Sequence, residues 1–203
     1  MGRRRIGPTW RMLNCIEADA GKQSVTDPLL GIFNRGYLQD RLAQEAAQSR
    51  RYGQPLSLVM ADLDHFQKIN DAYGPHSGDR VLQHAVELVR STLRASDWIA
   101  RYEAEEFVIV LPQTPLLGAY AAAERMRRLC CETSLEIPES KLQVTASFGV
   151  ATIDGIVPSA QDAEAMLREA DKALYQSQSA GRNRVTCAPK RPSSAIPTPA
   201  STA

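Results

Sequence analysis

Eight residues, Leu56 to Leu63, constrain this chain more than any others: Leu-Ser-Leu-Val-Met-Ala-Asp-Leu is an almost continuous apolar run that ends in an acid. A run that is apolar at odd and even positions has no face to give to water, so it predicts a buried central strand covered on both sides. Helical periodicity supplies the cover. Leu38, Leu42 and Ala46 mark one face of a helix over about residues 35–52, and Leu82, Ala85, Val89 and Leu93 mark another over 77–93. Further helices are predicted over 116–133 and 161–179. The second of these opens at Ser159-Ala160-Gln161-Asp162, which resembles a capping box, and ends at Gly181. Residues 98–102 and 107–111 flank a tight four-residue connection and predict a β-hairpin. Val144, Ala146, Phe148 and Val150 alternate as a strand, and 184–186 supply a short last one. The order βα–ββ–α–β predicts an α/β (α+β) sandwich with a mainly antiparallel central sheet and surrounding helices.

At 203 residues the chain suits one compact domain with tails. That domain is placed at residues 26–187, after an N-terminal segment (1–25) long enough for a short linking helix. Residues 188–203, rich in Pro, Ser and Ala, are expected to be a disordered tail. A 43% hydrophobic share and a 23% charged share exclude a chain without a core and a membrane protein. The net charge of +1 gives no overall field toward nucleic acid or an anionic membrane, so neither is an expected partner. Met1-Gly2-Arg3-Arg4-Arg5 imitates the basic start of a signal peptide. Pro8, Trp10 and Arg11 break up the apolar stretch such a peptide needs next, however, and a cytoplasmic location is expected. Cys15, Cys130, Cys131 and Cys187 form no zinc or disulfide pattern, and His65, His76 and His84 form no metal set.

The chemistry sits in acids near strand ends. Asp62 and Asp64 close the central strand, and Glu105 and Glu106 occupy the hairpin connection. Side chains alternate along a strand, so Asp62 and Asp64 share a side and Leu63 turns to the other. If the two strands are neighbours, the acids converge. Carboxylates gathered in this way repel one another by a few kcal/mol unless a cation lies between them, and oxygen ligands with phosphates suit Mg²⁺. Metal-assisted phosphoryl or nucleotidyl transfer is one reading; solvated turn acids are the other.

Ordered motifs decide between them. Thr26-Asp27-Pro28-Leu29-Leu30-Gly31-Ile32-Phe33-Asn34-Arg35 is succeeded by Asp62-Leu63-Asp64-His65-Phe66-Gln67-Lys68-Ile69-Asn70-Asp71, then by Tyr73-Gly74 and Gly78-Asp79. Arg101-Tyr102 leads into Glu103-Ala104-Glu105-Glu106-Phe107, and Ser147-Phe148-Gly149-Val150 and Gly181-Arg182-Asn183 complete the series. In register and order this resembles the GGDEF family of diguanylate cyclases across about four-fifths of the chain, which implies the nucleotidyl-cyclase, palm-like fold. Members join two GTP molecules into cyclic di-GMP across a two-fold axis, so the resemblance implies a homodimer or an assembly with a partner protein. It also implies that Asp62, the Leu63 carbonyl and Glu105 hold Mg²⁺, with Glu106 assisting at a second metal or at the 3′-hydroxyl proton. Glu105 and Glu106 are then the catalytic pair. Asn70 and Asp79 would bond the guanine edge, and Arg182 would meet the phosphates of GTP.

Several positions depart from the family's pattern. Glu103 and Ala104 stand where it has two glycines, and a left-handed conformation costs a non-glycine residue roughly 1–2 kcal/mol. At about 6 Å and an effective dielectric near 20, Glu103 would repel one unit of phosphate charge by roughly 3 kcal/mol, about a hundredfold in affinity. Gln67 and Gln178 replace the lysines expected there, and Pro75 replaces a histidine. Arg94-Ala95-Ser96-Asp97 matches the family's RxxD inhibitory site. Arg offers a planar fork to phosphate or guanine there, Asp accepts guanine N–H groups, and Arg125 would add a contact from a neighbouring helix. The expectation is a degenerate GGDEF domain that binds cyclic di-GMP and has weak or absent cyclase activity. An active diguanylate cyclase, and a GTP-binding or ligand-free interaction module, stand as alternatives.

Overall fold

The computed structural model describes residues 24–138, 140–153 and 162–189. Residues 159–161 of the capping box and most of the N-terminal segment and tail lie outside the described residues. The elements run α1 (Arg35–Tyr52), β1 (Leu56–Leu63), α2 (Phe66–Tyr73), α3 (Pro75–Thr92), β2 (Trp98–Glu103) and β3 (Glu106–Pro112). They continue with α4 (Leu116–Glu132), β4 (Ser134–Ile137), β5 (Ser140–Gln143), β6 (Ala146–Ile153), α5 (Asp162–Ser179) and β7 (Val185–Cys187).

Five strands form one sheet in the order β2-β3-β1-β6-β7, and β4 and β5 form a small separate hairpin. All pairings in the large sheet are antiparallel except β6 with β7, which agrees with the expected mainly antiparallel sandwich. β1 lies in the middle because it can bury both faces. Its Val59, Ala61 and Leu63 join Ile109, Phe148, Val81 and Met126 on the side of α3 and α4. Leu56, Leu58 and Met60 join Val108, Val110, Leu38 and Ala170 on the side of α1 and α5. At roughly 1.5–3 kcal/mol for each large apolar side chain removed from water, these two layers are the main source of stability.

Local chemistry sets the boundaries. Asn34 caps α1 by accepting the Tyr37 N–H at 2.9 Å, and Gly53 ends it in a left-handed conformation (φ 63°). The hairpin connection is shorter than the periodicity implied. Glu103 pairs with Glu106, so the strands extend to those residues and only Ala104 and Glu105 turn the chain. Gly149 lets α5 press on β6: a β-carbon there would fall 2.1 Å from the Ala170 carbonyl oxygen and 2.3 Å from the Leu174 nitrogen. No helix among the described residues is long and apolar enough to cross a membrane.

Candidate functional site

The sheet register brings the acids into one row. Asp62 on β1 lies opposite Glu106 on β3, and Glu106 lies opposite Glu103 on β2. Residues directly opposed in an antiparallel pair share a face, so three carboxylates lie side by side on the α1 and α5 side of the sheet, where like charges oppose folding. Glu105 adds a fourth from the turn. Burial first, then Glu105, with smaller contributions from Glu106 and Asp64, push the Asp62 carboxyl up to about 7; a hydrogen bond with the Gln178 side chain works against them. Glu106 is also pushed up, by burial and then by Asp171 of α5, Glu103 and Glu105, while Arg35 opposes the rise. Glu106, Asp171, Tyr175 and Gln178 line a groove beside α5.

The turn itself is braced from two sides. Ala104 has φ 30°, outside the comfortable range of an L-residue, as the loss of glycine implied. Arg101 Nε donates to the Ala104 carbonyl at 2.8 Å, and its terminal nitrogen donates to Asp27 at 3.0 Å. Asp27 also accepts the Leu29 and Leu30 N–H groups, which fixes the segment that precedes α1. On the other side Arg35 reaches Glu103 at 3.8 Å and stacks 4.7 Å from the centre of the Tyr102 ring.

Asp64 differs from its neighbour Asp62 in kind. Its carboxylate accepts Thr145 Oγ1 and Ser147 Oγ, each at 2.6 Å, and the Asn183 N–H at 3.0 Å. It is buried and internally satisfied, and it pins the Gly181-Arg182-Asn183 turn to the end of the sheet. That turn needs pinning, because Gly181, Arg182 and Asn183 all have positive φ. Arg182 is exposed and faces solvent at its tip.

Asn70 lies within α2 and faces the start of α3 at Gly78. Its Oδ1 is buried without a hydrogen-bond partner among the described residues, and a β-carbon at Gly78 would fall 1.8 Å from it. An unsatisfied buried amide oxygen, in a space only glycine leaves open and beside the residue that precedes Asp79, is a polar group with bonding capacity to spare. Gln67 is engaged along its own helix, donating to Asp71 at 2.8 Å.

At the far end of α3, Asp97 is buried and accepts the Arg94 backbone N–H at 2.9 Å and the Ser96 hydroxyl at 3.1 Å. Arg125 crosses from α4 to donate to the Thr92 carbonyl at 2.9 Å. Arg94, Asp97 and Arg125 therefore share one corner of the fold.

Among the described residues no three His, Cys, Asp or Glu side chains form a metal cage. Asp62, Glu105 and the Leu63 carbonyl still suit Mg²⁺ in chemistry, because this ion is commonly held by one or two carboxylates together with substrate phosphates. The negative charge gathered around the half-buried Asp62 is of the kind a bound cation would offset. Sequence reasoning marks Gln178 only as a lost lysine; its bond to Asp62, and the places of Arg35, Tyr102 and Asp171 at the acid row, come from tertiary packing.

The chain matches the family described as "Diguanylate cyclase, GGDEF domain" over residues 24–184. It is 38% identical over 170 residues to the diguanylate cyclase DgcP of Pseudomonas aeruginosa, covering 84% of this chain and 25% of that protein. It is 37% identical over 164 residues to the response regulator PleD of Caulobacter vibrioides, covering 80% and 36%. The chain thus spans only about a quarter to a third of these relatives. Among solved structures it is similar to the GGDEF domain of DgcB from Caulobacter crescentus in complex with c-di-GMP, with TM-score 0.76 and 27% identity over 84% of this chain and 99% of that one. It is also similar to the diguanylate cyclase SiaD in complex with its activator SiaC from Pseudomonas aeruginosa, with TM-score 0.76 and 36% identity over 88% and 66%.

Proposed function

Since this chain belongs to the GGDEF family of cyclic di-GMP signalling, we propose that it acts in the cytoplasm as a receptor for cyclic di-GMP, with little or no cyclase activity, in a homodimer or with a partner protein. The observation that carries this reading is the in-register row Glu103, Glu106 and Asp62, with Glu105 beside it and Gln178 where a cation would be needed. A triphosphate brought to this row meets four carboxylates. Arg101 is spent on Ala104 and Asp27, and Arg35 on Glu103.

The parts for nucleotide recognition are nonetheless present. Asn70 and Asp79 are suited to bond a guanine edge, and Arg182 to meet phosphate. Asp62, the Leu63 carbonyl and Glu105 would hold Mg²⁺, which when bound offsets negative charge on the phosphates. Glu106 is the group suited to accept a hydroxyl proton, since its raised carboxyl lies closer to neutral pH than an exposed glutamate. These retained groups support a second reading, an active diguanylate cyclase.

Cyclic di-GMP suits the other corner. Arg94 offers a planar fork, Asp97 an acceptor on a rigid turn, and Arg125 a second cation across the helix boundary. Titration calorimetry with cyclic di-GMP tests the proposal. Binding is expected to persist in Glu105→Ala and to weaken at least tenfold in Arg94→Ala, the worth of a charge-assisted hydrogen bond. Steady conversion of GTP to cyclic di-GMP by the parent protein with Mg²⁺ supports the cyclase reading instead.

A further inference from the structure

Arg35 occupies an unusual place. It sits at the start of α1, at the rim of the acid row, and it is the positive charge that opposes the rise of Glu106. The Tyr102 ring, 4.7 Å from the guanidinium carbon, supports its flat face. A guanidinium stacked in this way keeps its N–H groups in the plane, pointing outward toward an oxygen anion. In this chain the anion that takes up that position is the Glu103 carboxylate, 3.8 Å away.

We propose that Arg35 is an anion-binding residue of this site, suited to the terminal phosphates of a nucleoside triphosphate, and that Glu103 competes with them as an internal stand-in. The proposal rests on the reading of the acid row as a nucleotide site whose phosphate end is obstructed. The two side chains are 51% and 68% exposed, so the pair is loose and reversible. A phosphate brings more charge and more oxygens than one carboxylate and can bond the fork at two points, so Glu103 weakens binding rather than abolishing it. Its neighbours keep the Glu103 backbone within reach of Arg35: Glu103 pairs with Glu106 in the ladder, and Arg101 holds Ala104 from the opposite side. The substitution therefore does more than crowd the turn. It supplies the cation at the rim with a partner of the chain's own.

Removing Glu103 would act in two ways. One unit of repulsion disappears whatever else is present, and Arg35 is released only where Arg35 exists. A double-mutant cycle separates the two. Binding of a non-hydrolysable GTP analogue with Mg²⁺ is to be measured by calorimetry for the parent, Glu103→Gly, Arg35→Ala and the double variant. Glu103→Gly is expected to tighten binding in both backgrounds through the lost repulsion, by up to about a hundredfold in the parent, and by a factor at least about threefold smaller in the Arg35→Ala background. An equal gain in both backgrounds overturns the proposal, because Glu103 then acts by charge and bulk alone; no gain in either also overturns it. Glu103→Gln keeps the side-chain length and gives the same cycle should the glycine variant unfold. GTP turnover by the parent, assayed separately, bears on the receptor reading and leaves this comparison intact.

Discussion

Asp62→Asn should make the domain more stable at neutral and alkaline pH. In the folded chain the Asp62 carboxyl titrates at about 7 rather than 3.8, so between about pH 4 and 7 the folded state holds a proton that the unfolded state has released. A group of this kind contributes its stability at low pH and loses it as pH rises through the folded value. Three units at 1.36 kcal/mol each set a ceiling of about 4 kcal/mol at pH 8. Asp62 is only partly buried, and solvent around the acid row reduces the figure to about 1–2 kcal/mol. Asparagine keeps the shape and the chance to bond Gln178 while removing the charge. For a domain of this size the gain corresponds to a rise in the unfolding temperature of about 3–6 °C. Thermal unfolding of parent and variant at pH 5.5 and pH 8 measures it. The advantage should be largest at pH 8 and shrink at pH 5.5. No gain at pH 8, or the same gain at both, would refute the claim that uncompensated charge in the row destabilises the fold.

Two glycine positions should respond to alanine in opposite ways. Gly78→Ala places a β-carbon 1.8 Å from Asn70 Oδ1 and must turn that side chain away. Because the oxygen has no partner to lose among the described residues, stability should change by less than about 1 kcal/mol, while guanine nucleotide affinity, read by calorimetry, falls roughly tenfold or more and cyclic di-GMP binding at Arg94 is unchanged. Gly149→Ala instead meets backbone atoms of α5 at 2.1 and 2.3 Å, and chemical denaturation should show a loss above about 3 kcal/mol.

The parts of the fold legible in the sequence are those whose side chains face a single environment. Leu56–Leu63 has clear bounds because both its faces are apolar, and Arg35–Tyr52 is visible because Leu38, Leu42 and Ala46 recur on one buried face. The helix Phe66–Tyr73 is not legible because only Phe66 of its eight residues is buried, which leaves no stripe to detect. The hairpin Ser134–Ile137 and Ser140–Gln143 has only Ile137 fully buried among its described side chains and leaves equally little trace. At the site, the convergence of Asp62 with Glu106 is foreseeable once β1 and β3 are taken as neighbours. The role of Asp64 is not, since three partners from distant positions define it. Arg35 beside Glu103 is hidden for the same reason: each residue is ordinary in its own segment, and only tertiary packing joins them.

The bonds Asp27–Arg101–Ala104 have a mechanical consequence. The start of the described chain and the tip of the hairpin are linked through one guanidinium, at 3.0 Å on one side and 2.8 Å on the other. The same segment is also tied to β2 through its backbone, with the Phe33 N–H donating to the Ile99 carbonyl at 3.2 Å and the Arg101 N–H to the Phe33 carbonyl at 2.8 Å, so a displacement of the residues before α1 is expected to be felt at the hairpin that carries Glu105. One arginine and a short backbone bridge thus join the chain that leads in to the acidic tip of the hairpin.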